Sequence, residues 1–307
     1  MIKAGFSQTV ITPPVGAEMP GSMNKRFAQN IHDQLYAKAM VLDDGNTQIA
    51  LVGVDALSVK RSTVLAARKQ IDAETDMPGE NVMVAASHTH NGGPTADCFL
   101  SESDPSYCTF VAQQIATAVI DAHRKKQEVR LIIGAGHEDS VAFNRRFKMK
   151  DGTERTHPGK LNPDIVELAG PIDPMVGVIG AVDENCKLLG CWVNYTCHCT
   201  LGVGGAGFSA DYPYYLTKVI QRAMNAEDAV VVFGNGACGD VTQVDNQRDR
   251  GREFGEEWGW HVGATIGAEA LKVLARLEYT DDVKLASDKQ ILKLSLRDIP
   301  EEEFQKA

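Results

Sequence analysis

Val176-Gly177-Val178-Ile179-Gly180-Ala181-Val182, then Asp183-Glu184-Asn185-Cys186-Lys187, then Leu188-Leu189-Gly190-Cys191-Trp192-Val193-Asn194-Tyr195 is the stretch that decides the fold. Two apolar runs, Val176–Val182 and Leu188–Tyr195, flank a short polar segment, the pattern of a β-hairpin. Downstream, Tyr212–Met224 reads as a helix that Pro213 can start, with Asp211 as its N-cap. Ala229–Phe233 is a fully apolar run, the signature of a buried strand. A hairpin followed by strand-helix-strand alternation predicts a mixed β-sheet core with hairpins, covered by helices: an α/β chain of mixed α+β character.

The same mixture extends upstream. An Asp44-Gly45 turn separates Tyr36–Leu42 from Gln48–Val54, which predicts a second hairpin. Lys60–Ala73 has helical period, Asn81–Ala86 reads as a buried strand, Tyr107–Arg124 as an amphipathic helix and Arg130–Gly136 as a strand. Toward the C-terminus the pattern predicts the longest helix over Arg252–Leu277, a strand over Lys284–Ser295 and the first turn of a helix over Asp298–Phe304. There is no internal sequence repeat, low-complexity segment or linker, so residues 1–307 are expected to form a single domain.

Composition narrows the function. In 307 residues, 43% are hydrophobic and 23% charged, a balance that excludes intrinsic disorder. A formal charge of −10, with no basic patch beyond Arg145-Arg146-Phe147-Lys148, argues against nucleic-acid binding. No apolar stretch is long enough to span a bilayer. No charged and then apolar leader is visible, so a cytoplasmic location is expected, with secretion the alternative if a leader has been removed. Seven irregularly spaced cysteines predict reduced thiols rather than a disulfide framework. The composition does not reveal the oligomeric state.

Chemistry-bearing residues follow apolar strands three times, and strand C-terminal ends are where sheet proteins gather their sites. Ser87-His88-Thr89-His90 follows Val82–Ala86, His198 follows Cys191–Thr196, and Asn235 to Asp240 follow Ala229–Phe233. In extended backbone His88 and His90 would project to the same side, a usable metal geometry, although such a pair can also merely hydrogen-bond its own loop. Cys197 and Cys199 flank His198 but would point away from it, and no Cys-x-x-Cys completes a thiolate cluster. The Gly234 to Thr242 turn could receive an anion through backbone N–H groups or simply cap itself through Asp240 and Thr242. Asn144-Arg145 could meet an oxyanion or carboxylate. The other histidines, His32, His123, His137, His157 and His261, receive no role.

These residues, in this order, resemble the neutral/alkaline ceramidase family in its catalytic amidase domain, together with smaller bacterial relatives of that domain. The resemblance rests on Ala4-Gly5-Phe6-Ser7 to Pro14, His32-Asp33 to Ala39, Gly53-Val54-Asp55, Ser87-His88-Thr89-His90-Asn91-Gly92, Asn144-Arg145, Asn194-Tyr195 to His198, Ser209-Ala210-Asp211 and Gly239-Asp240-Val241-Thr242. It implies a zinc ion bound by His88 and His198, with His90 and Arg145 on the substrate side. Asn235, Gly239, Asp240 and Thr242 are then a supporting or oxyanion loop. Thr242 stands where the family has a serine, and a stiff β-branched hydroxyl with no adjacent histidine reads as a loop support rather than a nucleophile. Asp55 is expected to orient a ligating histidine, or to cap its own turn.

The resemblance also implies a glutamate and a tyrosine ligand from a C-terminal stretch, and an immunoglobulin-like domain, neither of which the chain contains. A helix beginning near Pro300 in a chain of 307 residues therefore reads as the cut end of a longer protein. Zinc is expected to bind weakly or not at all, with His88 and His198 close together but under-coordinated. The leading expectation is a zinc-dependent hydrolase of an amide bond in a small or lipid-like substrate. A metallophosphoesterase is the enzymatic alternative, although that class places Asp-x-His before His-x-His. A non-catalytic metal- or ligand-binding relative is the third.

Overall fold

The computed structural model describes residues 1–295 and 298–305. Two mixed sheets stack face to face, and each carries helices on its outer face. In the first sheet, β1 (Lys3–Val10), β2 (Tyr36–Asp43) and β3 (Gln48–Val54) are antiparallel neighbours. After helix α1 (Arg61–Glu74), β4 (Val82–Ala86) lies parallel to β3. Helix α2 (Pro105–Arg124) then packs beside α1.

The second sheet repeats that scheme. Strands β5 (Arg130–His137), β6 (Met175–Val182) and β7 (Leu188–Tyr195) are antiparallel neighbours. Helix α3 (Tyr212–Ala223) leads to β8 (Val230–Asn235), parallel to β7, and α4 (Glu256–Leu274) follows. Each parallel pair thus has its crossover helix, as parallel strands require. The expected mixed α/β architecture is observed, together with a topological repeat that no sequence repeat announces.

Side-chain alternation builds the layers. On β2, Ala37, Ala39 and Val41 face a cluster with Val111, Ile115 and Val119 of α2. The intervening Met40 and Leu42 face the other sheet, where they meet Trp192 and Val232. On β6, Val176 and Val178 pack with Val262 and Ile266 of α4. Gly53 allows the sheets to approach closely, because a Cβ there would lie 2.5 Å from the Phe233 carbonyl oxygen.

Local signals place most boundaries. Asp104 caps α2 by accepting from the N–H groups of Ser106 and Tyr107. Asp211 caps α3 by accepting from Tyr212 N–H. The helix expected over 252–277 starts later, at Glu256, because Gly255 has φ +91° and cannot lie inside a helix. With 19 residues it is shorter than α2, which has 20. The strand expected over Lys284–Ser295 is not formed, since that segment finds no neighbouring strand and leaves Ile291 and Leu294 exposed. A short helix, Glu301–Phe304, stands where its first turn was expected. Among the described residues no helix is long and apolar enough to cross a membrane.

Candidate metal centre

The C-terminal ends of β4, β7 and β8 converge at one end of the stacked sheets. Past β4, Ser87 N–H still donates to the Val54 carbonyl at 2.9 Å, but the strand is over. His88 takes a left-handed backbone with φ 66°, a conformation that is costly for a non-glycine residue and concentrates at functional sites. The extended His-x-His expected from the spacing is therefore not what unites the two rings. They meet edge to face, with centroids 5.0 Å apart, because His88 turns and His90 returns from the loop.

Three backbone carbonyls aim the three imidazoles. His88 Nδ1 donates to Leu57 O at 2.7 Å, His90 Nδ1 to Gly21 O at 2.7 Å and His198 Nδ1 to Cys238 O at 2.8 Å. A carbonyl only accepts, so each Nδ1 carries a hydrogen, and in the neutral ring the lone pair then belongs to Nε2. The backbone is held as well: His88 N–H donates to Ala56 O, His90 N–H to Cys199 O and His198 N–H to Val241 O.

One nitrogen from each ring lies within 4.8 Å of the others. The Nε2 atoms of His88 and His198 are 3.0 Å apart, so two lone pairs face each other. The Nε2 of His90 is buried without a hydrogen-bond partner. Burial, reinforced by the other two imidazoles, pushes His90 down to about 3. Burial is also the main cause that takes His198 down to about 4, with His88, Arg145 and His157 adding to it. Neutral, pre-oriented imidazoles with orphaned lone pairs suit a divalent cation such as zinc, and the carbonyl on the far nitrogen is the usual support of a ligating histidine. No fourth such side chain joins this cluster among the described residues.

The remaining expected residues surround the three. Arg145 is half-buried; its guanidinium donates to Gly239 O at 2.6 Å, and its N–H to Asp240 O. Asp240 accepts from the Asn144 amide at 2.9 Å. Asn235 joins strand ends from both sheets, donating to the carbonyls of Ser87 and Cys197 at 2.9 Å and accepting from Cys197 N–H. Its amide hydrogens are spent on these ties, which makes Asn235 a support. Thr242 is buried, pairs with Phe143 in a short antiparallel ladder and donates to Gln243 Oε1 at 2.7 Å.

Asp55 departs from the role expected of it. Its carboxylate accepts from Tyr36 N–H, while the Leu57 carbonyl, two residues on, orients His88. Cys197 and Cys199 are fully buried, and burial holds both thiols well above their usual range.

Several contributors were not singled out from sequence. Gly21, with φ +100°, brings its carbonyl against His90, where a Cβ would stand 2.8 Å from Nδ1. Arg26 donates to the His90 carbonyl and to Asn91 Oδ1. His157 donates its N–H to Arg145 O and lies close enough to depress His198. Its only sequence signal is proximity to the Asn144-Arg145 pair. A cavity of about 320 Å³ opens beside His88 and His198, with Leu57, Val59, Val84 and Ala86 on its apolar side.

No protein-family model matches the chain. It is 27% identical over 199 residues to neutral ceramidase of Pseudomonas aeruginosa, which covers 61% of this chain and 28% of that protein. The crystal structure of neutral ceramidase from the same organism superposes with a TM-score of 0.74 at 20% identity, over 90% of this chain and 45% of that one. A ceramidase complexed with C2 gives 0.73 at 22% identity, over 90% and 44%. The chain therefore spans less than half the length of these relatives, and the structural likeness establishes a shared fold. The chain is a ceramidase-like relative.

Proposed function

We propose that this ceramidase-like chain is a zinc-dependent hydrolase that cleaves the amide bond of a small or amphipathic substrate, with residues 1–307 as its catalytic domain. The observation that carries the proposal is the pair of Nε2 lone pairs of His88 and His198, 3.0 Å apart and each fixed by a carbonyl on the far side of its ring. Two neutral imidazoles in that arrangement repel unless a cation, or a proton, lies between them. A zinc ion held by His88 and His198 would polarise the scissile carbonyl and lower the pKa of a water from 15.7 toward about 7.

The chain's own residues supply the remaining steps. His90 is uncharged in the resting site, so its Nε2 accepts the proton of the attacking water and returns it to the departing amine. Negative charge developing on the carbonyl oxygen offsets the cost of that transient imidazolium. Arg145, anchored to Gly239 O, adds fixed positive charge at the same place. Asn235 and the Gly239-Asp240 turn keep the strand ends in register, Thr242 supports them from below, and the apolar side of the cavity takes an alkyl or acyl portion of the substrate.

The test is a panel of N-acyl amides, carboxylic esters and chromogenic phosphoesters, assayed with the wild-type chain, His90→Ala and Arg145→Ala, with and without chelator. Amide cleavage that is lost with chelator and restored by zinc supports the reading. Preferential cleavage of phosphoesters would replace it with a phosphoesterase. Zinc binding with no turnover of any substrate would leave a non-catalytic relative.

A further inference from the structure

A second cavity, of about 270 Å³, opens between β2, the 32–34 loop and α3, and none of the residues assigned to the metal centre lines it except Asp55. Lys38 reaches this cavity from the inter-sheet face of β2, the same face as Met40 and Leu42. Lys38 is only 7% exposed, yet its ammonium has no ion pair and no hydrogen bond among the described residues. The Tyr36 ring lies 5.6 Å from its Nζ to the centroid, and Asp55 is close enough to feel its charge. An ammonium that opens onto a cavity with no hydrogen-bonded partner of its own is a ready contact for an anion.

The other polar groups divide into used and unused. Asp33 is saturated: it accepts from Ser209 Oγ at 2.6 Å, Ala210 N–H at 2.9 Å and the His32 ring at 2.7 Å. Thr217, facing the cavity from α3, has a buried hydroxyl with no partner. Asp55 accepts one bond, from Tyr36 N–H, and retains acceptor capacity. Burial raises its carboxyl to about 6, which Lys38 partly opposes.

We infer that this cavity binds a small carboxylate carrying a hydroxyl or amino donor beside it, with Lys38 and Thr217 taking the carboxylate and Asp55 the adjacent donor. An isolated anion would meet Asp55 as well as Lys38, so a ligand with both an acceptor and a donor end fits better than phosphate or acetate. The site stands apart from the hydrolytic chemistry, although Asp55 immediately precedes the Ala56 and Leu57 carbonyls that hold His88.

Calorimetric titration of glycolate, glycine, acetate and inorganic phosphate tests the inference on the whole chain and on Lys38→Met, Thr217→Val and His88→Ala. Glycolate or glycine should saturate one site per chain, and acetate should bind more weakly. Lys38→Met should weaken binding by about tenfold or more while the far-UV circular dichroism is preserved, as expected for the loss of a charged hydrogen bond. Thr217→Val gives a second, milder reading should Lys38→Met fail to fold. Binding should persist in His88→Ala. The inference is overturned if neither glycolate nor glycine saturates, if phosphate alone binds, if Lys38→Met and Thr217→Val bind as the wild type does, or if His88→Ala abolishes binding, which would assign the ligand to the metal centre.

Discussion

The two halves of the molecule, residues 3–124 and 130–274, share one topology but divide the site in opposite ways. Each half has three antiparallel strands, a crossover helix, a parallel fourth strand and a final helix. In the first half, the turn after the third strand supplies orienting carbonyls, Ala56 and Leu57, and the turn after the fourth supplies His88 and His90. In the second half the roles exchange: His198 follows the third strand, and Cys238, after the fourth, supplies the carbonyl that orients it. Their long connections also behave alike. The one joining β1 to β2 brings Gly21 and Arg26 to His90, and the one joining β5 to β6 brings Arg145 to the Gly239-Asp240 turn. Neither half alone holds all three histidines, so stacking of the sheets brings the cluster together.

If so, either half can silence the site alone. His88→Ala and His198→Ala should each lower kcat/KM for the amide substrate by at least about 10³-fold, roughly 4 kcal/mol of lost transition-state stabilisation. A loss in only one of them would break the symmetry of the comparison. Arg145→Ala removes charge from one connection without touching the donors. A fall of about a hundredfold in kcat, with metal content unchanged, is expected and separable by steady-state kinetics and elemental analysis.

Asn235→Ala attacks the seam between the halves. It removes the side-chain hydrogen bonds to Ser87 and Cys197 that join β4, β7 and β8, so chemical denaturation should show a loss of about 2 kcal/mol, with metal affinity reduced about tenfold. An unchanged metal affinity would mean that the halves align without this tie.

Acid should act on both halves at once. His90 and His198 have folded pKa values near 3 and 4, below the unfolded value of 6.5, so the unfolded chain binds more protons between those limits. Stability of the metal-free protein is accordingly full above about pH 6.5 and falls as pH drops through 4 toward 3. Thermal melts across that range should show this slope in the wild type and a smaller one in His90→Asn. Equal slopes would show that His90 is not the neutral, buried group described.

Much of the fold was legible because its signals are local. The Asp44-Gly45 turn fixes one hairpin, Asp183-Glu184-Asn185 marks the other, and Asp211 caps its helix. The candidate site was legible as far as its side chains go, since the histidines sit immediately past apolar strands. Its supports were not: Gly21, Leu57 and Cys238 act through carbonyls that every residue possesses, and they reach histidines far from them in sequence. The left-handed turn at His88 has no residue signature either, because the surrounding structure imposes it. The repeat of topology was hidden because apolar alternation can recur without recurrence of residue identity. Over 284–295 the sequence has apolar residues but no partner strand, and without a ladder no strand forms.

Metal content addresses the central claim most directly. Zinc titrated into the metal-free protein and followed by elemental mass spectrometry should fill one site per chain, with an affinity that drops steeply in both His88→Ala and His198→Ala. Zinc occupancy and affinity unchanged in both variants would contradict a centre shared between the two sheets.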